Sequence, residues 1–138
     1  MKKIIFLLIL SVLLSCSNKS ISSSNNQGYE GRWIWEKNNN NQDFSLTIKK
    51  ENNIYYGSHC GIFLKGNRID CSENNETSFK FIDTKGNEII TDFISFYSRA
   101  KGKIKLKLKK DKLIWEIIQP PKDNYYCPLK ATLIKKYK

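Results

Sequence analysis

Histidine is all but absent from this 138-residue chain, where His59 stands alone. With one imidazole and no Cys-x-x-Cys, the ligands of a zinc centre and the parts of a histidine triad are missing. His59 adjoins Cys60, but consecutive strand residues point to opposite faces, so the two cannot easily meet as base and nucleophile. A half-exposed structural histidine is expected. Other signatures are absent as well: there is no Asp-x-Asp-x-Asp-Gly loop, no glycine-rich phosphate cradle and no Gly-x-Ser-x-Gly elbow. Asp70, Glu73 and Glu76 cluster after an expected strand, without a spacing that identifies a glycosidase or calcium site. The expectation is a protein that is not an enzyme, with no metal and no cofactor.

Acidic residues are also scarce, 13 Asp and Glu against 24 Lys and Arg. Length limits the chain to one domain and excludes two-domain enzymes. The 40% hydrophobic and 12% aromatic content is enough for one core.

No apolar run is long enough to span a bilayer. The longest, residues 4–14, is interrupted only by Ser11 and follows Lys2 and Lys3. Eleven helical residues span about 16 Å, roughly half a hydrocarbon core. The segment reads as a secretory signal. Its end, Leu13-Leu14-Ser15-Cys16, resembles the lipobox of bacterial lipoproteins, in which a small residue precedes a cysteine that is lipidated and becomes the mature N-terminus. The resemblance implies a signal peptide over 1–15 and a lipid anchor on Cys16. Ser17 is not the aspartate associated with inner-membrane retention, so the implied location is the outer membrane, facing the periplasm or the cell surface. Residues 17–28 are Ser- and Asn-rich with one apolar residue, Ile21, and cannot offset their own ordering entropy. With Cys16 they form a tether, 16–28, whose twelve residues after the cysteine reach about 20 Å.

From Tyr29 onward, apolar and polar residues alternate between Asn, Gly and Lys-Asp clusters, the pattern of antiparallel β-structure. Nine strands are expected, over 32–37, 43–50, 53–64, 67–72, 78–83, 88–97, 103–110, 112–119 and 130–136, with no helix. Short turns imply that neighbours in sequence pair in space. The expected fold of 29–138 is all-β, an antiparallel meander closing into a small barrel, with a β-sandwich as the alternative. Alternation points Trp33 and Trp35, then Phe44, Leu46 and Ile48, then Ile104, Leu106 and Leu108 inward. Gly31-Arg32-Trp33 resembles the Gly-x-Trp of lipocalin-like barrels, whose first-strand Trp plugs the closed end.

With Cys16 lipidated, three cysteines remain in a compartment that favours disulfides. Cys60 and Cys71 flank Lys65-Gly66-Asn67 almost symmetrically, so a hairpin brings them together. Cys127 is then a buried free thiol or a competitor for one of them.

Charge is concentrated late in the chain, with 13 basic and 3 acidic residues over 99–138 against 8 and 10 over 29–98. Lys101, Lys103, Lys105, Lys107 and Lys109 occupy every second position of one strand. Such a ladder is either the solvent face of a half-buried strand or a surface for an anionic partner such as an envelope component, lipid headgroups or an acidic protein. Nucleic acid is not expected, because the interleaved residues are aliphatic and point inward.

The chain is thus expected to be a membrane-anchored lipoprotein whose barrel binds something, either a small lipophilic ligand inside or a partner outside. Alternatives are an inhibitor or immunity protein that blocks a toxin or hydrolase by contact, and a structural component of an outer-membrane assembly. Basic lysozymes are unsuited as targets, because 21 basic and 13 acidic residues over 29–138 would repel them.

Overall fold

A computed structural model describes residues 28–36 and 41–137. Cys16, the signal segment and nearly all of the tether lie outside the described residues. Nine strands form: β1 (Gly31–Trp35), β2 (Gln42–Glu51), β3 (Ile54–Phe63), β4 (Arg68–Cys71), β5 (Phe79–Ile82), β6 (Glu88–Ile94), β7 (Lys101–Lys109), β8 (Lys112–Gln119) and β9 (Lys130–Lys136). All pairings are antiparallel, and the sheet closes because β1 pairs with both β2 and β9 while β2 also pairs with β3. The result is an eight-stranded barrel of lipocalin-like type with one additional strand.

The additional strand corrects the simple meander. β2 occupies one edge of β3 along its whole length. On the other edge, β4 pairs with residues 60–63 and β5 with residues 54–57. Thus β4 and β5 follow one another along the same edge, separated by an excursion through residues 72–78. Each is four residues long and fills half a stave. Two other boundaries move. The sixth strand stops at Ile94, because Arg99 N donates to Ser95 O and Ser95 N to Ala100 O, closing a turn where the strand was expected to continue. The expected Lys65-Gly66-Asn67 turn begins one residue earlier, at Leu64–Gly66, where Leu64 and Lys65 take φ of 52° and 55°.

Alternation selects the core. Trp33, Phe44, Leu46, Ile48, Phe93, Ile104, Leu106, Leu113, Trp115 and Leu133 are fully enclosed. Trp35 and Leu108 are only partly buried, packed against that core near strand ends. An eight-stranded barrel is just wide enough to be filled by its own side chains, and this one is: Trp115 meets Phe44 and Phe93 with ring centroids 5.1 and 5.4 Å away.

Each end is closed by a segment fastened to a tryptophan. At the proximal pole, where Gly28 leads into β1, Trp33 Nε1 donates to Tyr29 O at 2.8 Å, and the Tyr29 hydroxyl donates to Gly86 O. Trp33 is buried at this pole. Burial, with nearby Tyr55, Asp83 and Glu88, pushes the Tyr29 phenol up to about 12. At the distal pole, Trp115 Nε1 donates to Pro128 O at 2.9 Å. Gly61 makes room for the same lid: a Cβ there would lie 2.0 Å from the Tyr126 carbonyl oxygen.

Candidate functional site

The distal pole is organised by one carboxylate. Asp70 lies on β4 where its neighbour across the barrel wall should be β6, but β6 has already ended. Its carboxylate takes the place of strand pairing: Oδ1 accepts from Phe96 N at 2.6 Å and Tyr97 N at 3.1 Å, and Oδ2 from Tyr126 N at 3.0 Å and Ser95 Oγ at 2.7 Å. His59 Nε2 lies 3.0 Å from Oδ1, and His59 Nδ1 lies 2.6 Å from Ser78 Oγ. An ionised carboxylate only accepts, so Nε2 carries the hydrogen between them. His59 and Asp70 are fully enclosed. The imidazole stacks on Phe96 with centroids 4.9 Å apart and is surrounded by Phe44, Phe93 and Trp115.

These positions correct two expectations. His59 is buried rather than half-exposed, because β3 turns it inward with Tyr55, Gly57 and Gly61. Asp70 does not cluster with Glu73 and Glu76; it faces the interior, while Glu76 lies outside and pairs with Arg99. As expected of adjacent strand residues, Cys60 points away from His59 and bonds to Cys71, its direct partner in the β3–β4 register. Cys127 is the buried free thiol, 3.6 Å from Asp70 Oδ2. Burial first, and the Asp70 carboxylate second, push that thiol well above its ordinary value.

Burial alone would raise the Asp70 carboxyl. The hydrogen bond and attraction from His59, with the Tyr126 amide and Ser95 hydroxyl, outweigh it and hold the group well below the usual carboxylate range. Ser78, His59 and Asp70 are linked in the order of a hydrolytic relay, held within the barrel wall. Ser78 is 3% exposed, its amide is bonded to Gly57 O, and its carbonyl accepts from Ile94 N. The three groups form a hydrogen-bonded chain across the barrel wall, with the Ser78 hydroxyl engaged by the imidazole. His59, Asp70 and Cys127 bring ligand atoms within 4.8 Å of one another. Both carboxylate oxygens and both imidazole nitrogens are engaged in hydrogen bonds within the protein.

What the buried cluster does is hold an exposed one. Arg68 Nη1 donates to the Tyr126 hydroxyl at 2.7 Å, and Tyr97 meets Tyr126 edge to face at 4.6 Å. Asp70 binds the backbone amides of both tyrosines. Leu64, Ile69, Tyr97, Ile118 and Leu129, five of the eight large apolar side chains exposed among the described residues, stand at this pole.

The lysine ladder lies outside as the alternation requires, but acids on the flanking strands face it. Lys103 pairs with Asp92 at 2.5 Å, Lys105 with Glu116 at 2.7 Å and Lys107 with Glu88 at 3.4 Å. Lys101 and Lys109, at its two ends, have no ion pair among the described residues. The middle of the ladder is thus largely a cross-strand charge lattice. Clefts among the described residues include one of about 530 Å³ at the proximal mouth beside Tyr29, Lys50 and Asp83, one of about 510 Å³ beside the disulfide, and one of about 480 Å³ along the β5–β6 wall.

Sequence reasoning missed Asp70 as a hub and Tyr97 and Tyr126 as a pair. The available signal was a lone His and a lone Asp on expected strands flanking one turn, which in a mostly apolar interior calls for mutual pairing. Compared with known proteins, the chain matches no family model, no curated protein and no solved structure, so the case for its function rests on its own residues.

Proposed function

We propose that this protein is a membrane-anchored, non-enzymatic envelope lipoprotein whose barrel binds a protein partner on its outside, at the distal pole. The observation that carries this reading is the filled interior: aromatic rings occupy the space where a lipocalin-like barrel would hold a lipophilic ligand. Support for the distal pole comes from chemistry common to protein interfaces, with Tyr97, Tyr126 and Arg68 beside exposed Leu64 and Ile69. The lipid anchor on Cys16 rests on the lipobox resemblance.

The inhibitor or immunity reading gains from the way Asp70 holds the two tyrosines. Contact residues fixed before binding lose little entropy when the partner arrives. A rigid pole suits a protein that blocks a partner's cleft.

A photo-crosslinking residue in place of Tyr97 tests the proposal in native membranes. A discrete covalent protein adduct is expected there, and none from Ile90 on the barrel wall. Native mass spectrometry of the intact protein checks the interior. Release of a small molecule of discrete mass would overturn the outside-binding reading. The anchor has its own test: Cys16→Ala should appear in the soluble fraction after a high-salt wash, and continued membrane recovery with a lipid-like mass would sink it.

A further inference from the structure

The basic surplus has a place in the fold that the linear sequence hides. Five described segments meet at the proximal pole: 28–32, 48–55, 82–90, 107–113 and 134–137. Together they carry ten Lys and Arg against five Asp and Glu. All other described residues carry nine against eight. Almost the whole positive excess of the described residues therefore gathers at the pole where they begin, at Gly28, and end, at Tyr137.

Much of that charge is unspent. Lys50 pairs with Asp83, Lys107 with Glu88 and Lys112 with Glu36. Among the described residues, Lys49, Lys85, Lys109, Lys110 and Lys136 make no ion pair. Two of these lysines hold turn positions that suit Asn or Gly better: Lys85 and Lys110 both have φ of 56°.

We infer that the proximal pole docks on an anionic phospholipid surface, with Lys85, Lys109 and Lys110 among the headgroup phosphates. The inference rests on the proposed membrane anchorage and adds to it an orientation and a second membrane contact. The occupant follows from where the chain leads. Gly28 opens into this pole, and a tether reaching about 20 Å would hold it, rather than the distal pole, next to the bilayer. Clustered lysines at such a surface are attracted to its negative potential. Docking there turns Tyr97, Tyr126 and Arg68 away from the membrane, towards a partner.

The test uses the chain from residue 16 onward carrying Cys16→Ser, so that no acyl chain contributes; the core starts at Tyr29 and the barrel closes within the described residues. Sedimentation with vesicles of phosphatidylethanolamine and phosphatidylglycerol is compared with phosphatidylcholine vesicles. Preference for the anionic vesicles, weakened by salt, is expected. Each lysine contributes about five-fold to partitioning, so combining Lys85→Gln, Lys109→Gln and Lys110→Gln should lower it about a hundred-fold. The distal set Lys65→Gln, Lys122→Gln and Lys130→Gln should leave it unchanged. An intact disulfide and an unchanged melting temperature establish that the variants are folded, and the single Lys109→Gln must show its own five-fold loss. Equal binding to both vesicle types, or an equal loss in the distal set, would overturn the inference. Because the chain tested is not acylated, neither result depends on whether Cys16 carries lipid.

Discussion

His59 Nε2 and Asp70 Oδ1 lie 3.0 Å apart with both side chains fully enclosed, and this contact anchors the distal end of the barrel. Asp70→Ala strands the imidazole and the amides of Phe96, Tyr97 and Tyr126 without their acceptor. A loss of about 3–5 kcal/mol in urea unfolding is expected. Its pH dependence has a definite sign. The folded carboxyl is depressed, so its contribution is complete above the unfolded value of about 4 and is lost as pH falls below that through the folded value. Unfolding free energy measured from pH 6 down to pH 2 should show this loss in the wild type and a flatter profile in Asp70→Ala.

Gly61→Ala separates the pole from the barrel. The new Cβ would sit 2.0 Å from the Tyr126 carbonyl, which is backbone and cannot swing aside. The expected cost is about 1–3 kcal/mol, with the lid displaced. If the tyrosine pair forms the partner surface, crosslinking from Tyr97 should fall while the barrel still melts cooperatively.

The Cys60–Cys71 bond closes a short loop, with a sequence separation of 11. Reduction should cost about 3 kcal/mol in chemical unfolding. Cys127 should resist iodoacetamide at pH 8 in the native protein, because burial and Asp70 keep its thiol protonated. It should react once the chain is unfolded, and intact mass reads both states.

A filled interior predicts what happens when it is emptied. Phe93→Ala removes a ring packed against Trp115 and His59, and should destabilise by about 3–5 kcal/mol. The cavity would be apolar on most sides. An apolar fluorescent dye should bind this variant and not the wild type; dye binding by the wild type would speak for a hollow barrel.

Local periodicity and turn chemistry carried much of the architecture. The alternation of Phe44, Leu46 and Ile48, and of Ile104 and Leu106, assigned their faces because a strand's side-chain period is intrinsic to the backbone. The Cys60–Cys71 pairing followed from symmetry about a turn. Other features depend on distances that no local pattern encodes. Tertiary structure alone returned β5 to the edge of β3, where the 72–78 excursion lets one stave be built from two strands. It also buried Asp70: a lone acid reads as solvent-facing until amides from residues 96, 97 and 126 converge on it. The lysine ladder looked like an open cationic face until Asp92, Glu116 and Glu88 came alongside. The charge that remains free could be located only once the hairpin turns were known to share a pole, because charges add in space and not along the chain.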